Sequence, residues 1–282
     1  MRKTIDVSVV TPSLNMLEYL KRCSASIADQ QNVSYEHIIV DAVSTDGTVD
    51  WIKSNNKIIS IIEKDKGMYD AINKGFSLAR GNILAYLNCD EQYLSGTLNY
   101  VVKFFKQNPH IDVIFGDALI VNTDGDLLAF RKAYQPRWFY ILSSHLYIMS
   151  CTLFFRRKIF DNGFLFDSIL KDIGDQDFII RLLKNGFKFH HYKKYLSAFT
   201  LSSSNMMLGS NAFKERREAY NSAPKWIKIL KYPLNMARLM EKAFNGSYLQ
   251  KMPIEYSIYG KSNAKERRLY VVNRTSFKWP KV

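Results

Sequence analysis

The stretch YEHIIVDAVSTDGTVDWIKSNNKIISIIE, residues 35–63, reads as strand, turn, helix and strand. Residues 35–41 are a β-branched run that closes on Asp41. Ser44, Thr45, Asp46, Gly47 and Thr48 form a turn, with Asp46 or Thr48 able to cap the helix that follows. Residues 57–63 return as a strand. The same alternation extends outward in both directions. Residues 6–12 (DVSVVTP) are a buried strand ended by Pro12, and residues 15–29 carry apolar side chains at helical spacing. Residues 68–79 form a helix, 83–87 a strand, 93–107 a helix and 112–115 a strand. Strands that alternate with helices make an α/β domain with a mostly parallel, helix-covered sheet. Ligands in such sheets bind beyond the carboxyl ends of the strands, which directs attention to Thr11, Asp41, Glu63, Asp65 and residues 88–91.

Beyond residue 117 the pattern loosens. Residues 122–125 are a hairpin turn between strands at 118–121 and 127–132. A strand follows at 152–155, a helix at 178–185 ended by Gly186, and a last strand and loop at 192–208. Residues 202–205 and those after them are expected to act as a lid. From residue 211 onward the expectation is a basic, helical extension. The domain division is therefore 1–210 (a first half, 1–117, and a second half, 118–210) and 211–282.

The 282 residues are 47% hydrophobic and 14% aromatic, enough for a sizeable core, and carry a formal net charge of +14. Residues 211–282 hold 16 Lys and Arg against 5 Asp and Glu, a surplus of 11. Such a segment favours a polyanionic partner. Residues 224–244 mix Trp, Tyr, Leu and Met with Lys and Arg. That suits a helix on an anionic membrane surface, or one packed on the domain with a basic outer face. Cys23, Cys89 and Cys151 lie far apart without a CxxC pair, which points to a reducing, cytoplasmic setting. No apolar run is long enough for a signal peptide or a membrane span. No GxGxxG follows the first strand, which argues against a dinucleotide enzyme. His145, His190 and His191 have no metal-binding spacing.

Several stretches carry chemistry. Asp41 ends a buried strand, where a carboxylate can accept hydrogen bonds from a base N–H or ribose hydroxyls. In EKDKGMYDAINKG, residues 63–75, the spacing of Asp70, Asn73 and Lys74 puts them on one helix face, and Lys74 can offset phosphate charge. Asn88-Cys89-Asp90-Glu91 is an acidic cluster just after a strand. Gly174-Asp175-Gln176-Asp177 precedes a helix that carries Arg181.

Together with Val9-Val10-Thr11-Pro12-Ser13-Leu14-Asn15, these stretches resemble glycosyltransferase family 2 over residues 5–205, especially its branch for bacterial surface polysaccharides. The resemblance implies a GT-A-type fold with a nucleotide-sugar half and an acceptor half. It implies that Thr11, Pro12, Asp41, Asp65, Asp70, Asn73, Lys74 and Asn88 meet a nucleotide-sugar, UDP-linked in the favoured reading. It places a divalent metal, Mn²⁺ or Mg²⁺, on Asp90 and Glu91, where it would stabilise the leaving diphosphate. Inverting transfer needs a carboxylate base for the acceptor hydroxyl, and Asp175 falls on that position, with Asp177 as the alternate. The acceptor implied is a glycan or a lipid-linked oligosaccharide, and the setting is the cytoplasm or the inner face of the plasma membrane. This chain departs from the pattern at Ala42 and Val43 and at Gly174, where glycines and an acid are usual. It departs again at Glu91, where Asp is usual, and at Ser150-Cys151-Thr152, where a His-Gln stretch is common. The competing readings are an inactive relative kept as a scaffold, and a nucleic-acid binder using the basic segment. The acidic cluster and the Asp175/Asp177 pair argue against nucleic acid on the main domain.

Overall fold

The computed structural model describes residues 4–202, 210–261 and 263–280. The expected lid residues 203–209 therefore lie outside the described residues. The chain opens as β1 (Val7–Ser13), α1 (Leu17–Ala28), β2 (Tyr35–Asp41), α2 (Thr48–Ser54), β3 (Ile58–Ile62), α3 (Met68–Leu78) and β4 (Ile83–Tyr86). β3, β2, β1 and β4 pair in parallel in that order. Each helical crossover carries the chain back to the amino end of the sheet, so the carboxyl ends of all four strands share one side.

The sheet continues through β5 (Glu91–Tyr93), α4 (Thr97–Gln107), β6 (Val113–Val121), β7 (Leu127–Arg131), α5 (Trp138–Ser143), β8 (Phe154–Arg156), α6 (Arg157–Asp161), α7 (Gly174–Lys184) and β9 (Phe189–Thr200). The full order is β3-β2-β1-β4-β8-β6-β9-β5, with β7 paired to β6. β8 enters antiparallel between β4 and β6, and β9 runs parallel to β6.

Three expectations need correction. Residues 113–121 are one continuous strand, because Gly116 and Asp117 are buried and pair with β9 through a local shift of register. A side chain at Gly116 would meet Leu196 at 2.5 Å, so the glycine is there for close packing and not as a strand end. The helix expected from residue 93 starts at Thr97, after β5 has paired with β9. The helix expected at 178–185 begins at Gly174, which brings Asp175 into its first turn.

The core has two layers, and alternation along the strands assigns them. Val113 and Phe115 of β6 join Tyr69, Ile72 and Phe76 of α3 and Phe178, Ile179 and Leu182 of α7. Ile114, Ala118 and Ile120 join Cys23 and Ile27 of α1 and Leu98, Val101 and Phe105 of α4. All three cysteines are free and buried.

The basic extension is helical only in part. α8 (Ser210–Asn221), α9 (Lys225–Ile229) and α10 (Lys231–Phe244) are followed by a hairpin, β10 (Ile254–Gly260) and β11 (Asn263–Val272). Residues 254–260 and 266–272 do carry the alternation of strands, which the charge surplus obscured. Ile254, Tyr256, Ile258 and Tyr270 of the hairpin close a third cluster with Leu119, Val121, Phe130 and Ala198. Arg267 adds charge-assisted bonds to Asp29, the residue that caps the end of α1, and Gln92 exchanges two hydrogen bonds with the Tyr259 backbone. No helix among the described residues is long and apolar enough to cross a membrane.

Candidate active site

The loops after β1 and β2 are laced together. Ser44 donates to Asp41 from both its backbone N–H and its hydroxyl, each at 2.7 Å. Ser44 Oγ in turn accepts the Asn15 backbone N–H at 2.7 Å, and Asn15 Oδ1 accepts from Thr45 N–H at 2.8 Å. Asp41 is fully buried and first of all shapes this turn. Val43 sits at φ 66°, a left-handed conformation that a β-branched residue rarely adopts. That backbone explains why glycine is the usual residue there.

Thr11 is fully buried at the end of β1. Its hydroxyl turns into the core and meets His37 Nε2 at 2.9 Å. Burial holds His37 neutral, with its pKa lowered to about 3. Pro12 next to Thr11 is half-buried near the carboxyl end of β1.

The polar face expected on α3 splits. Asp65 Oδ1 caps Gly67 N–H at 2.8 Å, and Asp70 Oδ2 accepts from Lys66 N–H at 3.0 Å. Lys74 pairs with Glu63 at 2.7 Å and Asp70 at 3.4 Å, and the Glu63 hydrogen bond raises its pKa. Asn73 leaves this group. It donates to Phe166 O at 2.8 Å and accepts from Phe166 N–H at 3.0 Å, which clamps the segment leading to α7. Its amide is thus engaged on both sides by the Phe166 backbone.

At the end of β4 the cluster also divides. Glu91 is fully buried, and its Oε2 accepts from Asn88 N–H at 2.8 Å. Burial and the neighbouring Asp90 charge push its pKa well above the usual carboxylate range. The carboxyl turns inward and braces its own loop through Oε2, while Oε1 is buried without a hydrogen-bond partner. Asn88 and Asp90 are half-buried, and Asn88 Oδ1 is a buried oxygen without a hydrogen-bond partner. No three His, Cys, Asp or Glu side chains gather as a metal cage among the described residues. One carboxylate and one orphaned amide oxygen still suit a hard cation that completes its shell with phosphate oxygens and water.

Asp175 faces this cluster electrostatically: its charge acts on Glu91 and on the Tyr86 and Tyr69 phenols. Burial raises its pKa to about 6, against hydrogen bonds from Gln176 N–H at 2.8 Å and Tyr69 Oη at 3.4 Å and the positive charge of Arg216. Asp177 instead accepts from Arg181 Nε at 2.7 Å and anchors α7, so its carboxylate is already committed. The absence of an acid at Gly174 has a steric cause. A Cβ there would meet the buried Tyr69 ring at 2.6 Å. Gly174→Ala should therefore displace Tyr69 and Asp175 together. We expect a loss of about 1–3 kcal/mol of stability from overpacking, read by thermal denaturation, and a fall in turnover with it.

Glu215 is a residue that sequence reasoning missed. From α8 its carboxylate accepts the backbone N–H groups of Lys171, Asp172 and Ile173 at 2.8, 3.0 and 3.1 Å. It fixes the approach to Gly174 and Asp175. In the sequence it reads as one acid on a charged helix, and its spacing carries no signal of this. Asp117 is buried and bonded to His191 and Ala133 N–H. Thr152 of the departing Ser150-Cys151-Thr152 stretch is likewise buried and donates to Gly116 O.

Residues 8–164 match the family model described as glycosyl transferase family 2. A PGL/p-HBAD biosynthesis glycosyltransferase of Mycobacterium bovis (strain BCG / Pasteur 1173P2) is 29% identical over 192 residues, covering 63% of this chain and 70% of the relative. The putative teichuronic acid biosynthesis glycosyltransferase TuaG of Bacillus subtilis (strain 168) is 26% identical over 219 residues, covering 76% of this chain and 85% of the relative. Among solved structures, S. aureus TarS 1-349 in complex with UDP-GlcNAc superposes with a TM-score of 0.62 at 16% identity, covering 94% of this chain and 99% of that one. The mannosyltransferase PcManGT from Pyrobaculum calidifontis, in complex with GDP-Man and Mn²⁺, gives 0.55 at 16% identity, covering 87% and 77%. The sheet order and these superpositions make the fold GT-A, and the family match covers more than half of the 282 residues: the chain is a glycosyltransferase and belongs to glycosyl transferase family 2.

Proposed function

We propose that this enzyme is a metal-dependent, inverting transferase. It moves a sugar from a UDP-linked donor to a glycan or lipid-linked acceptor in surface-polysaccharide assembly. One observation carries the reading: Asp175, with its pKa raised to about 6, acts electrostatically on Glu91, which follows Asn88 and Asp90 at the end of β4. A carboxylate with that pKa is ionised at neutral pH and still basic enough to take a proton. Asp175 accepts the proton of the acceptor hydroxyl as that oxygen attacks the anomeric carbon from the face opposite the diphosphate. A divalent metal, held by Asp90 and Asn88 when bound, would offset the charge that builds on the diphosphate. Asp41, Pro12 and Asp65 border the nucleotide, and Asp70 and Lys74 stand as a charged pair beside it. The names of the mycobacterial and Bacillus relatives and the UDP-GlcNAc held by TarS support the substrate class.

The test is a panel of UDP- and GDP-sugars with Mn²⁺, Mg²⁺ or EDTA, read as nucleotide release. Release of one nucleotide that needs the metal is expected. Equal rates in EDTA would refute the metal role.

The same reading puts the enzyme at an anionic membrane surface through α9 and α10. α10 is amphipathic with its polar face inward. Arg238 donates to Tyr134 Oη at 2.9 Å, Glu241 pairs with Arg137 at 2.9 Å, and Asn245 donates to Ala133 O at 3.1 Å. Its outward stripe is Tyr232, Met236, Leu239, Met240 and Phe244, with Tyr232 84% and Phe244 85% exposed. Exposed Lys225, Lys228 and Lys231 stand beside Ile229 and Leu230. An apolar stripe with a lysine rim matches acyl chains under anionic headgroups. Replacing Ile229, Tyr232, Met236 and Phe244 by Ser should lower binding to anionic vesicles at least tenfold, since each buried apolar side chain contributes about 1.5–3 kcal/mol. Unchanged co-sedimentation would clear the stripe of this role.

A further inference from the structure

A second feature lies next to Asp175, at Gln176. A cleft of 220 Å³ opens between the ends of α5, α7 and α8 and the start of α10. Ser143, Ser144 and Gln176 supply hydroxyl and amide groups, and Arg216, Arg217 and Lys231 supply three cations. No acidic side chain lines it. Among the described residues, none of the three cations is ion-paired with a carboxylate. Lys231 rests on the Tyr220 ring, with Nζ 4.7 Å from its centroid.

Like charges gathered at a concave wall repel one another and raise the local concentration of anions. Arginine forks beside hydroxyls and an amide are suited to phosphate oxygens. The position links this cleft to the reaction. Gln176 is the residue after Asp175, and the Arg216 charge acts on the Asp175 carboxylate. No lining residue comes from β1 to β4, where the donor diphosphate is placed.

We propose that this cleft binds the phosphate group of a phosphorylated acceptor and so presents the acceptor hydroxyl to Asp175. The proposal rests on the transferase reading above and names its acceptor class. Lys231 also begins the helix with the outward apolar stripe, so a phosphate borne by a lipid would enter the cleft from the membrane side.

The test is calorimetric titration of the full chain with inorganic phosphate, octyl phosphate or octanol, with UDP and Mg²⁺ present at saturation and again without UDP. Both phosphates should bind with UDP in place, and octanol should not. Tighter binding of octyl phosphate supports a lipid-borne group, and equal binding supports the phosphate alone. The charge reversal Arg217→Glu with Lys231→Glu, at two exposed positions, should weaken phosphate binding at least tenfold and leave UDP affinity unchanged. Absence of phosphate binding, or equal binding by the reversed variant, would overturn the proposal. Failure of the unmodified chain to bind UDP would instead count against the transferase reading, and the titration without UDP would still decide the cleft.

Discussion

Asp175→Asn is expected to lower kcat by about 10²–10⁴-fold, the usual contribution of a positioned general base. The substitution keeps the size of the side chain and its acceptor oxygen for the Gln176 N–H and the Tyr69 hydroxyl. It removes only the ability to take a proton. Donor affinity should therefore stay near that of the unmodified enzyme while transfer collapses. The pH profile follows from the same group. The working form is the ionised carboxylate, and burial holds the pKa at about 6. Hence kcat/KM should be level above that pH and fall tenfold per pH unit below it. A profile that stays flat down to pH 5 would assign the proton transfer elsewhere. Asp177→Asn, by contrast, breaks an ion pair with Arg181 that is about one-third exposed. It should cost little activity.

Asp90→Asn carries the second large effect. It withdraws the one carboxylate at the end of β4 that is not buried inward, and leaves the developing diphosphate charge without its metal. Loss of one such preorganised charge stabiliser costs about 10²–10³-fold in kcat. Glu91→Gln should behave differently. Glu91 is buried and accepts one hydrogen bond from Asn88 N–H, which a glutamine oxygen can also accept. Retention of most activity in Glu91→Gln beside its loss in Asp90→Asn would separate the ligand from the brace. Equal losses would restore Glu91 as a ligand.

The first half of the fold was legible because its signals are local. β-Branched runs ending at Pro12 and Asp41, and the turn at residues 44–48, need only neighbours in sequence to be read. The second half depends on partners far away. β6 runs through Gly116 because Leu196, on β9, fills the space a side chain would occupy. The C-terminal hairpin is decided by the surface of Leu119, Val121 and Phe130 that it covers, while its Lys and Arg residues suggested a solvated helix.

The site shows the same division. Asp175 and Asp90 are singled out by motif and strand end. Thr11 and Glu91 carry plausible residue types at plausible positions, and only the packing reveals that their side chains are buried. Gly174 looked like a missing acid until Tyr69 was seen against it. Glu215 could not have been found at all, because its three backbone partners lie more than 40 residues away.

The central claim is that Asn88 and Asp90 hold a metal against a nucleotide diphosphate within reach of Asp175. Its most direct test is calorimetric titration of UDP into the full chain with Mn²⁺ and with EDTA, for the unmodified enzyme, Asp90→Asn and Asp175→Asn. The account predicts metal-dependent binding that Asp90→Asn loses and Asp175→Asn keeps. Metal-independent binding, or binding that survives Asp90→Asn unchanged, would contradict it.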